Sequence, residues 1–259
     1  HVSGPDTGGC SRCHNQPAIG GGGDFASSLL VLAQRFDFAT FDDGDGLRTR
    51  GTLDERGVPV TLQSVGNLRK TVGMFGSGFV EMLARQMTAE LQARAAACPA
   101  GRRCTLRSKG IDFGTLARRA DGTWDASQVT GLPAQSLDTS GSAPPSLVIH
   151  PFHQSGSSVS LRDFTNGAFN HHHGMQSEER FGTGADPDGD GIVNELTRAD
   201  ITAVALFQAT LPVPGQVIPR GARFRAAIAA GERLFERVGC AGCHIPRLPL
   251  TEKGWVYSE

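Results

Sequence analysis

The chain has 259 residues, a net charge of −1, 34 glycines and 7% aromatic residues. That length supports one large or two modest domains with a substantial core. The near-neutral charge, without any basic run, speaks against a nucleic-acid partner, and no apolar run approaches the ~20 residues needed to cross a bilayer. Many glycines and few aromatics predict a loop-rich chain wrapped around something rigid. His1 reads as a processed or trimmed start, with neither an initiator Met nor a signal peptide.

The first informative stretch is Cys10-Ser11-Arg12-Cys13-His14. C-x-x-C-H is the attachment signature of c-type haem. Two thiols add across the vinyl groups, and the histidine that follows supplies the proximal nitrogen to the iron. A zinc half-site or a redox C-x-x-C pair is the competing interpretation. The motif returns as Cys240-Ala241-Gly242-Cys243-His244 in a chain of only six cysteines. Two copies point to two covalent haems, held by Cys10, Cys13, Cys240 and Cys243, with His14 and His244 on the irons.

After the first motif comes the glycine run Gly20 to Gly23, which would let backbone approach a macrocycle closely or act as a flexible linker. The segment from Phe36 to Gly46 carries Asp37, Asp42, Asp43 and Asp45 without a complete ligand spacing, and reads as a solvated acidic loop. Residues 77–97 predict the first long helix, because Phe79, Leu83, Met87 and Leu91 recur every four residues and Pro99 ends the pattern. Met82 and Met87 offer thioethers to an iron, although methionine on a helical stripe more often fills a core. Cys98 and Cys104 are spared by the haem motifs, and the Pro-Gly loop between them predicts a disulfide. Residues 100–148 show turn signals at Asp121-Gly122, Gly141 and Pro144-Pro145, with short strand-like pieces such as Leu147-Val148-Ile149. Trp124 lies among them as a packed indole or an electron relay.

Five of the eight histidines fall between His150 and His173. A haem iron takes at most one distal protein ligand, a His or a Met, so His173, Met175, His150 and His153 are distal candidates. Next, Asp186, Asp188 and Asp190 precede Gly191 in the pattern of the first half of an EF-hand loop. Position 12 is Thr197, so Glu195 or Asp200 would have to close a calcium site; a plain turn loop is the alternative. Thr197-x-x-Asp200 predicts a capping box for a helix carrying Ile201, Val204, Ala205 and Gln208 on one face, stopped by Pro212. Beyond the linker Pro212-Val213-Pro214-Gly215, an apolar stripe from Phe224 through Leu234 and Phe235 to Val238 delivers a helix to Cys240. Only fifteen residues follow His244. This predicts a truncated second unit, whose haem would need a missing lobe or another chain to cover it.

Two C-x-x-C-H motifs about 230 residues apart resemble the di-haem cytochrome c peroxidase superfamily, and more narrowly its di-haem oxidoreductase, or thiol oxidoreductase-like, branch. The stretches from Cys10 to Gly23, Met74 to Glu81, Ser160 to Gln176, Asp186 to Glu195 and Gly231 to Pro246 carry the resemblance, in the family's order. It implies that the N-terminal haem is the reaction centre and that the C-terminal haem relays electrons from a small redox protein. It also implies hydrogen peroxide as acceptor and Glu81 as the acid–base group.

The expected fold is therefore mainly α, with two cytochrome c-like haem domains, long irregular loops and a few short strands: residues 1–214 as the first and 215–259 as an incomplete second. Covalent haem and a disulfide place the chain in a bacterial periplasm or outside the cell. The rival to a peroxidase-like enzyme is a pure electron-transfer cytochrome belonging to a larger complex.

Overall fold

A computed structural model of the chain describes residues 9–23, 28–32, 66–141, 143–153, 156–187, 191–215 and 217–251. The acidic segment with Asp37, Asp42, Asp43 and Asp45 lies outside them, as do Asp188, Asp190 and residues 252–259.

Strands β1 (Ser28–Leu32) and β2 (Gly66–Lys70) pair antiparallel, Ser28 opposite Lys70 and Leu32 opposite Gly66. Helix α1 (Ser77–Ala96) follows through Gly76, whose φ of +77° turns the chain into the helix. Its inward face is Ala84, Met87, Leu91 and Ala95, a spacing of three and four residues that keeps one side turned to the core. Phe79, expected at the head of this stripe, is 47% exposed. The first turn of α1 instead crosses another helix at Gly78, where any Cβ would strike the carbonyl of Ala209.

The face of α1 lies on a three-stranded antiparallel meander of β3 (Arg102–Ser108), β4 (Ile111–Arg118) and β5 (Trp124–Val129). Lys109 and Gly110, at φ +49° and +84°, form the two-residue turn between β3 and β4. Two successive positive φ values match the right-handed twist of a tight hairpin. Leu106, Phe113, Leu116, Trp124, Ala126 and Val129 point from the sheet into the core, joined by Leu147 and Cys98. Each fully buried leucine there contributes about 1.5–3 kcal/mol. Cys98 and Cys104 form the expected disulfide, with Cα atoms 5.9 Å apart, tying the end of α1 to β3.

The expectation of a mainly α chain built as two cytochrome c-like domains is corrected. Helix accounts for 39% and strand for 14%, a mixed architecture whose main hydrophobic core is a helix on a sheet. The segment between Arg102 and Val129 turns Cys104, Leu106, Phe113, Leu116, Trp124, Ala126 and Val129 inward, a period of two that makes strands, broken where the register shifts between Thr105 and Arg107 and between Thr115 and Ala117. Leu147-Val148-Ile149, read as a strand, is irregular chain that caps the sheet's core through buried Leu147.

The remaining helices stand beside this unit. Helix α2 (Leu161–His173) begins at Ser160, whose side chain accepts from Asp163 N–H, and ends at Gly174 in the left-handed region. A single turn, α3 (Glu178–Phe181), leads toward α4 (Arg198–Ala209), which starts at the expected Thr197/Asp200 capping box. Helix α5 (Ala222–Arg237) runs into a short 3-10 turn at Cys240–Gly242 and buries none of its residues. Among the described residues, no helix is long and apolar enough to cross a membrane.

A chain of buried polar contacts locks α1, α2 and α4 together. The Glu81 carboxylate, 0% exposed on α1, accepts from Leu161 N–H at 2.7 Å and pairs with Arg85 at 2.7 Å. Thr165 Oγ1 donates to the Leu161 carbonyl, Gln208 Nε2 donates to Thr165 Oγ1 at 2.6 Å, and Ser77 Oγ donates to the Gln208 carbonyl. Each donor finds an acceptor, as burial demands.

Candidate functional site

The first C-x-x-C-H folds as a 3-10 turn over Cys10–Arg12. The Cys10 carbonyl accepts from Cys13 N–H at 3.1 Å and His14 N–H at 2.8 Å. The chain then doubles back. Gln16 and Gly22 exchange backbone hydrogen bonds, and Gly20 N–H donates to the His14 carbonyl at 2.9 Å. Gly20 and Gly21 are needed for this turn. A Cβ on Gly20, at φ +93°, would meet the Leu211 methyls at 2.8 Å, and one on Gly21 would strike the Gln16 carbonyl. The glycine run therefore brings backbone close to backbone and to Leu211.

This loop walls one side of an apolar cleft that is partly open to solvent. Helices α2 and α4 supply the rest, α2 through Thr165, Ala168, Phe169 and His172 and α4 through Val204, Phe207 and Gln208. The α2 set follows the i, i+3, i+4, i+7 spacing of one helical face. Cys10, Cys13 and His14 all line the cleft. The His14 Nδ1 is 3.2 Å from the Gly21 carbonyl oxygen. A carbonyl only accepts, so Nδ1 carries the proton and Nε2 is left as the basic nitrogen. Burial pushes the His14 imidazole below its ordinary value; the Gly21 and Val72 backbone groups oppose the shift and nearby His172 adds to it.

These residues fit a covalent haem. Two thiols and an imidazole stand on one turn at the cleft's edge, the imidazole tautomer is set by a backbone acceptor as metal-bound histidines require, and the walls are apolar. Bound there, haem would be held by Cys10 and Cys13 and ligated by His14.

Of the expected distal residues, only His173 lines the cleft, its ring 6.1 Å from Phe169. Met175, His150 and His153 are outside the lining. His153 packs against Phe164 at 5.8 Å, with its Nδ1 3.3 Å from Ser157 Oγ. Burial lowers its affinity for a proton, as does His172. His150 Nδ1 is buried without a hydrogen-bond partner. The residues missed are His172 and Met74, both on the cleft. Helical spacing from Thr165 would have singled out His172 within the triple His run. Met82 and Met87 are not in the lining, and Met87 is core. Trp124 is 4% exposed, packed in the core and stacked under Arg118. Glu81 is likewise absent from the cleft lining.

The second motif repeats the backbone of the first. The Cys240 carbonyl accepts from Cys243 N–H at 3.2 Å and His244 N–H at 2.8 Å, as at Cys10, but the chain enters differently: Gly239 is left-handed at φ +87°, ψ +3°, whereas Gly9 has φ +93°, ψ +158°. Its surroundings differ. Cys240 and Cys243 are exposed, as is His244, whose ring lies 6.2 Å from Phe235.

In the acidic loop, Asp186 Oδ2 accepts from Gly191 N–H at 3.0 Å, with Gly191 at φ +90°. Glu195, expected to close a calcium site, accepts from Gln176 N–H at 2.7 Å and so ties the loop to the chain beyond α2. Among the described residues, no group of three or more His, Cys, Asp or Glu side chains is placed to hold a metal ion.

No family model matches this chain, and no curated protein or solved structure matches it.

Proposed function

We propose that this chain is a c-type haem protein carrying two covalent haems, one at Cys10, Cys13 and His14 and one at Cys240, Cys243 and His244, between which electrons pass. The observation that carries the reading is the repetition of one backbone turn at two C-x-x-C-H motifs, with matched carbonyl acceptors at Cys10 and Cys240. Chance or a lone zinc site gives no reason for that match. Bound haem supplies a one-electron change at its iron. The chain's own residues set its ligation and surroundings: His14 is oriented by Gly21, and His172 faces the same cleft from α2.

A histidine on each of two walls favours an iron ligated on both sides, and hence electron transfer. The acid–base role considered for Glu81 lacks support, because its carboxylate is engaged by Leu161 and Arg85 away from the cleft. The peroxidase-like reading that the resemblance implies keeps one support, the opening of the cleft to solvent. It requires the first iron to be free on its distal side. Both readings call for a small redox protein as partner. They also suit an oxidising compartment, in keeping with the Cys98–Cys104 disulfide.

Mass spectrometry of the protein made with a haem c attachment system tests the count, since two haem additions per chain are expected. Low-temperature EPR before and after hydrogen peroxide then separates the readings. Two low-spin haems inert to peroxide are expected for electron transfer. A high-spin haem consumed by peroxide would replace that conclusion with a peroxidase.

A further inference from the structure

Glu81 is a fully buried carboxyl group and lies outside the cleft. Such a group is costly unless fully engaged, and its contacts show where it acts. One oxygen accepts from the N–H of Leu161, the first residue of α2, at 2.7 Å. That N–H is one of those a helix leaves without an internal partner, and a carboxylate there also meets the positive end of the helix dipole. The other oxygen holds Arg85, one turn along α1. Four residues into α2, Thr165 receives a second tether from Gln208 of α4 at 2.6 Å. Two buried tethers from two different helices fix both the height of α2 and its rotation about its own axis. Rotation decides which side chains meet the cleft, and the face so presented carries His172, with His173 beside it.

We infer that Glu81 is a positioning residue for the distal side of the first haem site: through Leu161 it sets α2 so that His172 stands opposite His14. This rests on the two-haem reading above and departs from an acid–base role for Glu81. The amide of glutamine keeps an oxygen that can accept from Leu161 N–H, so charge is dispensable and the acceptor is not.

The test compares Glu81→Gln and Glu81→Ala in the full-length, haem-loaded chain, reading the low-spin EPR signal of the first haem and amide exchange across residues 161–173. Glu81→Ala is expected to convert part of the low-spin signal to high-spin and to speed exchange in α2 roughly ten- to hundredfold, the range for losing a charge-assisted hydrogen bond. Glu81→Gln is expected to retain the wild-type signal and exchange within about threefold. If Glu81→Ala fails to accumulate, Thr165→Val removes the other tether and is expected to shift the same two readouts in the same direction. An unchanged signal in Glu81→Ala, or an equal loss in Glu81→Gln, overturns the inference. Failure of the underlying reading has a separate mark: His172→Ala would then leave the first haem's spectrum untouched, while exchange in α2 still reports on Glu81.

Discussion

His14 Nδ1 and the carbonyl oxygen of Gly21 are 3.2 Å apart, and this contact orients the imidazole while leaving Nε2 for a metal. Gly21 cannot take a side chain in place, because its Cβ would strike the Gln16 carbonyl. Gly21→Ala is therefore expected to displace the acceptor from His14 without touching the helix-on-sheet core. Lost outer-shell partners weaken metal ligation about 10–100-fold. If His14 ligates a haem iron as proposed, the concentration of added imidazole that displaces it should fall by that factor, while the far-UV melting transition of the core stays in place.

The Cys98–Cys104 bridge closes a short loop, six positions in sequence, between α1 and the sheet. Loop-closure entropy for so few residues gives about 2 kcal/mol. The double variant Cys98→Ala/Cys104→Ala should lower the unfolding free energy by that amount in denaturant titrations. Adding a reductant should have the same effect on the parent chain and none on the variant.

What could be read from the sequence, and what could not, divides on the range of the interactions. The capping box at Thr197 and Asp200, the Cys98–Cys104 pair and the span of α1 were legible because each depends on residues within a few positions. The meander of β3, β4 and β5 was hidden because bulges between Thr105 and Arg107, and between Thr115 and Ala117, interrupt the alternation, and a period-two pattern broken by bulges reads as mixed chain. His172 was passed over for a different reason. Within a triple His run, which imidazoles meet the cleft depends on the rotation of α2, which brings His172 and His173 to it, and α2 is tethered by Glu81 and Gln208, far away in sequence. Glu81 entered as an acid–base candidate only through the family resemblance, with a helix-surface carboxylate as the alternative; its sequence neighbours give no sign of the helix end it meets.

Glu90 supplies a pH signature. Its partial burial tends to raise the carboxyl, but hydrogen bonds from Lys109 and Ser108 outweigh that and hold it below its ordinary value of 4.5. A carboxyl lowered by folding contributes stability above its unfolded pKa, and that contribution disappears as pH falls through the folded one. Its side chain is 38% exposed, so screening limits the effect to under about 1 kcal/mol. Urea titrations should find Glu90→Gln less stable than the parent at neutral pH, with the difference closing as pH falls below the ordinary carboxyl value of 4.5 and through the lowered folded one. A difference that persists at the acid end would mean that the side chain acts through packing.

The second motif differs from the first in what it costs the rest of the molecule to lose it. Helix α5 buries none of its residues, and Phe224 at 58%, Leu234 at 46% and Val238 at 62% exposure contribute nothing to the core around Leu91 and Leu106. The chain beyond His244 touches that core unit through Thr251, which Lys109 Nζ reaches at 2.6 Å and whose N–H donates to Gln86 Oε1 at 3.1 Å. One such anchor is worth about 1 kcal/mol. On the two-haem reading, His244→Ala removes the histidine proposed to ligate the second haem and should leave the main unfolding transition unchanged to within about 1 kcal/mol, whereas Leu106→Ala, in the sheet, should cost about 2–5 kcal/mol. Redox titration of the His244→Ala protein should retain the first haem's midpoint and lose the second's. A shift of the main transition as large as that of Leu106→Ala would show that α5 is part of the core.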